Sequence, residues 1–223
     1  MTHLQKLGTG LILVLLGSAT GGNVQAANLI TNGSFETGNF VNNGNGAMSL
    51  IIGAPDITGW TVTNAELAWV TNINSYGLTA SDGSYFLDLT GYHDSAPYGG
   101  VTQTINTTVG QTYTLAFDLD VNQSDGRYNG PVDIQATAGS MSQTFTFNPG
   151  GTGNQFGLFG FDFVAAAPTT AITLIGTQGK QYIGLDNVSV VSAAVPEVSA
   201  ANSLGLLLAA GLGSAVLRRK IRN

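Results

Sequence analysis

The stretch Tyr92-His93-Asp94-Ser95-Ala96-Pro97-Tyr98 holds two phenols, an imidazole and a carboxylate within seven residues. Its Gly and Pro neighbours place it on a surface excursion of the chain. Aromatic rings cover the apolar faces of sugars, while adjacent carboxylates and amides take up the hydroxyls. The chemistry this composition suits is therefore glycan contact. Trp69 and Tyr76 join Tyr92, His93, Asp94 and Tyr98 as the candidate carbohydrate-binding set. The competing reading for each aromatic is core packing or incidental exposure. Trp60, at the Gly59-Trp60 start of a strand, reads as core.

Catalysis is poorly served by the same inventory. A glycosidase needs two carboxyls facing each other across the scissile bond. Asp118 and Asp120, and likewise Asp82 and Asp88, are even-spaced on one strand, where solvated polar display accounts for them. A Ser–His–carboxylate site would have to use His93, because His3 lies in the N-terminal segment, and no Gly-x-Ser-x-Gly elbow is present. Zinc clusters, phosphate loops and dinucleotide fingerprints are absent from the sequence. With no cysteine there are also no disulfides, thiolate ligands or thiol nucleophiles. The expectation is a protein without catalytic residues.

Charge narrows the partners further. Charged residues make up only 9% of the 223 residues. Between Asn28 and Val191 the cations are Arg127 and Lys180, set against twelve Asp and Glu. Binding to nucleic acid requires clustered Lys and Arg that displace counterions, so nucleic acid is excluded as a partner. The surface must be built from Thr, Asn, Ser, Gln and Gly, as in many exported β-proteins.

The elements that position these groups read as strands. Tyr113, Leu115, Phe117 and Leu119 alternate with Thr112, Thr114, Asp118 and Asp120. Such a period of two marks a half-buried strand. Phe145 and Phe147, and Phe159, Phe161 and Phe163, repeat the pattern, and Tyr85, Leu87 and Leu89 face away from Ser84 and Asp88. Further strands are expected at 29–35, 60–70, 101–107, 132–136, 171–175 and 182–191. Turn signals such as Asn32-Gly33, Asp82-Gly83 and Asn129-Gly130-Pro131 separate them. About ten short strands without a helical period predict an all-β jelly-roll sandwich. The Phe-rich faces should meet as its core. The loops at 37–45 and 148–155 are rich in Gly and Asn.

The chain ends are read differently. Lys6, the apolar stretch around Leu11–Leu16 and the small residues up to Val24-Gln25-Ala26 have the three regions of a secretory signal peptide. Residues 1–26 are thus a signal helix cleaved after Ala26, and 27–191 the folded domain. Residues 192–197 form a linker ending in Val195-Pro196-Glu197. Residues 198–223 hold an apolar helix and a basic tail. The twenty residues Val198–Leu217 would rise about 30 Å as a helix, enough for a single transmembrane span. The cluster Arg218-Arg219-Lys220 favours a cytoplasmic C-terminus.

Two resemblances follow from these residues. The ordered set Asn28–Glu36, Ile57–Val62, Ala80–Leu89, Val101–Ile105, Gly110–Phe117 and Ile183–Val190 resembles exported galactose-binding-like sandwiches. These include carbohydrate-binding modules and the choice-of-anchor C group. The resemblance implies a glycan-binding or surface module. It also implies a structural Ca²⁺ where the first and last strands meet, with Asn32, Glu36 and Asp186 as oxygen ligands. The alternative is that Glu36 and Asp186 hydrogen-bond loop backbone. Val195-Pro196-Glu197, the apolar helix and Arg218-Arg219 resemble a PEP-CTERM sorting tail, although Val198 stands where that pattern has a second Pro. This second resemblance implies an exosortase-type sorting enzyme as partner and a Gram-negative host making extracellular polysaccharide. The membrane is held through the tail before processing. The destination is the envelope, cell surface or matrix. The mature protein is expected to begin at Ala27 and to lack the residues after the Val-Pro-Glu motif; mass spectrometry of both termini checks this.

Overall fold

The computed structural model describes residues 27–193. The signal segment, the Val195-Pro196-Glu197 motif, the apolar segment and Arg218-Arg219 lie outside the described residues. Among the described residues no helix is long and apolar enough to cross a membrane.

Among the described residues eleven strands form two antiparallel sheets. They are β1 (Ala47–Leu50), β2 (Thr61–Thr63), β3 (Leu67–Thr71), β4 (Tyr85–Asp88), β5 (Gly100–Asn106) and β6 (Thr112–Asn122), followed by β7 (Val132–Ala138), β8 (Met141–Phe147), β9 (Asn154–Val164), β10 (Thr169–Gln178) and β11 (Gly184–Ser192). One sheet has the order β1-β3-β4-β11-β6-β9 and the other β2-β5-β10-β7-β8. The expected all-β sandwich is present.

The core lies between the sheets. β6 sends Tyr113, Leu115, Phe117, Leu119 and Val121 inward, all buried, as its alternation predicts. Tyr113 stacks on Phe163 of β9 with centroids 5.6 Å apart. Phe117 meets Phe145 of β8 edge-on at 5.4 Å, joining the two sheets. Phe159 and Phe161 point to the same side but stay half-buried, because β9 is an edge strand.

Two expectations are corrected and one strand is added. Residues 29–35 form no strand: Asn32 and Phe35 take left-handed backbone angles (φ 57° and 58°) that end any extended run. The segment is nevertheless laced to β11, through Leu29 N to Val190 O and Val188 N to Gly33 O. Here Gly33 is required by proximity, since a Cβ would lie 1.9 Å from Val188 O. The run 60–70 is two strands in different sheets, divided at Asn64 (φ 67°). Finally, β1 shows no clear alternation and was absent from the sequence reading; pairing with β3 recruits it.

The inter-sheet aromatic contact yields a stability prediction. Phe117→Ala should cost about 3–5 kcal/mol, the usual penalty for emptying a buried Phe site. Leu158→Ala, at a side chain 72% exposed, should cost within about 0.5 kcal/mol. Urea unfolding of the two variants checks the contrast.

Candidate functional site

The six-stranded sheet is covered on both faces near β1, β3 and β4. Leu67 and Trp69 of β3 and Leu87 of β4 face the sandwich core. Their alternating neighbours Ala68, Val70 and Phe86, with Ala47 of β1, face outward into a second buried cluster closed by Leu78, Tyr128 and Tyr182. Ala47 and Ala68 are too small to fill the space beneath those loops. A cavity of about 120 Å³ remains, open to the surface beside Tyr92.

Separate segments of chain supply its polar groups: Tyr76 from the 72–84 connection, Asp88 from β4, and Tyr92 and Asp94 from the loop after β4. Tyr128 comes from the loop after β6, and Gln181 from the approach to β11. Asp88 is only 8% exposed. Its Oδ1 accepts from Thr90 N (2.9 Å), Thr90 Oγ1 (2.9 Å) and Ile183 N (3.2 Å). Burial still outweighs these donors and pushes the Asp88 carboxyl up to about 7. Burial also raises Asp94 and Tyr92. The Tyr92 hydroxyl accepts from Asn43 Nδ2, so the loop before β1 steadies this ring.

The predicted carbohydrate set divides. Tyr76, Tyr92 and Asp94 converge on the cavity. His93 lies beside it in a shallow depression, its Nε2 paired to Glu66 Oε2 at 2.9 Å. Tyr98 is a buttress, its hydroxyl donating to Gly179 O at 2.8 Å. Trp69 is a correction: it is 1% exposed, donates Nε1–H to Phe35 O, and packs on Phe40 and Tyr85. Sealed in the core, it offers no face to a ligand. Asp88, Tyr128 and Gln181 were missed as site residues. Asp88 alternates with apolar residues and so reads as solvent display; only the overlying loops bury it.

Next to this site runs a band of enclosed carboxylates. Asp88, Gly184 and Asp120 lie in register across β4, β11 and β6. A Cβ on Gly184 would lie 2.3 Å from the Tyr182 hydroxyl and 2.4 Å from the Asp120 Cβ, so only glycine fits. Both Asp120 oxygens and the Tyr182 hydroxyl are buried without a hydrogen-bond partner among the described residues. Burial, then the neighbouring Asp186, raises the Asp120 carboxyl well above its ordinary range.

The three oxygen groups considered for Ca²⁺ point to loop backbone. Glu36 Oε1 accepts from Ser84 N and Tyr85 N. Asp186 Oδ2 accepts from Ser81 N and Asp82 N, and Oδ1 from Asn187 N. Asn32 Oδ1 accepts from Thr37 N, while its Nδ2 donates to Thr37 O and Thr58 O. These hydrogen bonds are the loop-backbone contacts that stand as the alternative to an ion at Asn32, Glu36 and Asp186. No group of three or more acidic or His side chains suited to a metal occurs among the described residues.

Comparison with known proteins adds a family and a set of folds. Residues 28–190 match the model of a family described as a protein of unknown function, DUF642. No curated protein matches the chain. Among solved structures, a family 35 carbohydrate binding module from Clostridium thermocellum is 17% identical, with a TM-score of 0.43 over 66% of this chain and 99% of that one. A CBM22-1 xylan-binding domain from Paenibacillus barcinonensis is 13% identical, with a TM-score of 0.41 over 66% and 94%. TmCBM61 in complex with beta-1,4-galactotriose is 15% identical, with a TM-score of 0.43 over 75% and 100%.

The raised carboxyls set a pH dependence of stability. Asp88 titrates near 7 when folded and near 3.9 when unfolded. Between those values the folded state holds a proton that the unfolded chain has released. Its stabilising contribution is therefore present below about pH 4 and is lost as pH rises through about 7. The Tm should be several degrees lower at pH 8 than at pH 5, and Asp88→Asn should flatten that slope; calorimetry across this range checks both.

Proposed function

The chain belongs to the DUF642 family, and from that premise we propose that it is an exported, non-catalytic protein of the cell exterior that binds polysaccharide through the Tyr92 cavity. The observation that carries this reading is convergence. Tyr76, Tyr92 and Tyr128 meet Asp88, Asp94 and Gln181 at one opening, although they come from separate segments. Rings supply apolar area at low entropic cost, and the carboxylates and amide are placed to accept or exchange hydrogen bonds with hydroxyls. A cavity of about 120 Å³ admits part of one sugar unit, with the rest of a chain lying across the exposed rim.

The delivery half of the reading rests on the two chain ends. A signal segment leads out through the inner membrane of a Gram-negative cell. The Val195-Pro196-Glu197 motif, the apolar segment and Arg218-Arg219 hand the chain to an exosortase-type enzyme. A second reading has one observation in its favour: Asp88, titrating near 7 beside Asp94, has the character of a general acid. Turnover of a polysaccharide, abolished in Asp88→Asn, would replace binding by hydrolysis as the function.

The test is a glycan array probed with the intact chain in a polyoxyethylene detergent, which carries neither sugar nor charge. Tyr92→Ala should weaken binding about tenfold, equivalent to about 1.4 kcal/mol. Tyr98→Phe, which removes only the hydroxyl bound to Gly179, should leave it unchanged. Retention by Tyr92→Ala would sink this choice of site.

A further inference from the structure

The walls of the Tyr92 cavity carry one sign of charge. Asp88 and Asp94 line it, and no Lys, Arg or His among the described residues does. Neither the Lys nor the Arg side chain of the described residues lines it, although Arg127 lies over the Tyr128 ring, 4.9 Å from its centroid. Arg127 is bound to Asp125 at 2.6 Å, and Lys180 donates to Gly126 O and Asn129 Oδ1. His93 is held by Glu66. Asp88 is 8% exposed, and its Oδ1 takes three hydrogen bonds, whereas Oδ2 has no hydrogen-bond partner among the described residues. A carboxylate enclosed in this way is relieved by an opposite charge more than by a neutral hydroxyl. The Tyr76 and Tyr92 rings suit the same sign, because the negative face of an aromatic ring attracts cations, organic ammonium groups above all, and the Tyr128 ring already holds Arg127 in this way. The size agrees. The cavity of about 120 Å³, open beside Tyr92, has room for a compact head group.

We propose that the cavity formed by Asp88, Asp94, Tyr76, Tyr92 and Tyr128 binds an organic ammonium group, and that its source is the free amine of an amino sugar in a deacetylated polysaccharide. The second clause rests on the glycan-binding reading above; the first does not. The ammonium enters against Asp88 Oδ2 while Tyr92, 44% exposed at the mouth, covers the ring that carries it. N-acetylation would remove the charge and add bulk, so the acetylated sugar should be rejected.

The experiment is calorimetric titration of the intact chain with a glucosamine tetramer, the N-acetylated tetramer, a neutral glucose tetramer and tetramethylammonium. The glucosamine tetramer should bind at least tenfold more tightly than either other tetramer, and tetramethylammonium should compete with it. Asp88→Asn and Asp94→Asn should each lose at least tenfold. Asp162→Asn, an equal change in net charge at an exposed carboxylate that accepts from Thr114 Oγ1, should lose nothing. Asp94 lies on an exposed loop, so its variant keeps the test decisive if Asp88→Asn fails to fold. Equal binding of all three tetramers would overturn the ammonium inference while leaving glycan binding intact. Equal loss in Asp162→Asn would reduce the effect to bulk charge and overturn it as well. Binding of tetramethylammonium alone would keep the ammonium site and overturn the amino-sugar source. Absence of all binding would overturn both this proposal and the glycan reading.

Discussion

Double burial of β3 and β4 is the constraint on which the site depends. A strand in a two-layer sandwich ordinarily hides one face and wets the other. Here Trp69 and Leu87 fill the inter-sheet core while Ala68, Val70 and Phe86 fill a second cluster on the far side. The loops carrying Leu78 and Tyr128, and Tyr182 before β11, must fold back over the sheet to close that cluster. Because the central outward residues are alanines, the closure is incomplete, and the gap is the cavity. The site is thus a packing remainder with phenols and carboxylates on its walls.

The same cover encloses acids that a simple sandwich would have left in water. Asp88 and Asp186 answer this with several hydrogen-bond donors each, and both still titrate near 7. Asp120 has no hydrogen-bond partner among the described residues. Burial of carboxyls at this density disfavours their ionised forms, and it leaves the outer face of the sheet under-neutralised. A domain with twelve acids and two cations between Asn28 and Val191 has little internal means of compensation. That imbalance links the energetics of the fold to the charge of what it can bind.

How legible the sequence was depended on how local the governing interaction was. The inward face of β6 was evident because the four alternating residues Tyr113, Leu115, Phe117 and Leu119 share one environment. The break at Asn64 was hidden, because a left-handed residue between two apolar runs leaves no periodic trace. β1 was hidden because its four residues owe their extension to β3. The stretch Tyr92–Tyr98 was correctly seen as a surface loop, and two of its four candidates, Tyr92 and Asp94, reach the cavity. Trp69 was misread because its strand carries apolar residues on both faces, so alternation could not say which side was wet.

By itself the sequence determined the all-β class, the run of strands from β4 to β11, the acidic and cysteine-free character, and the loop that supplies Tyr92. All of these follow from composition and from neighbours within a few residues. Tertiary structure alone decided that Asp88 is enclosed, that Tyr76 and Tyr128 face the same opening as Tyr92, and that Trp69 is out of reach. Those outcomes depend on which loop covers which strand, through contacts between residues tens of positions apart, and no local pattern encodes such contacts.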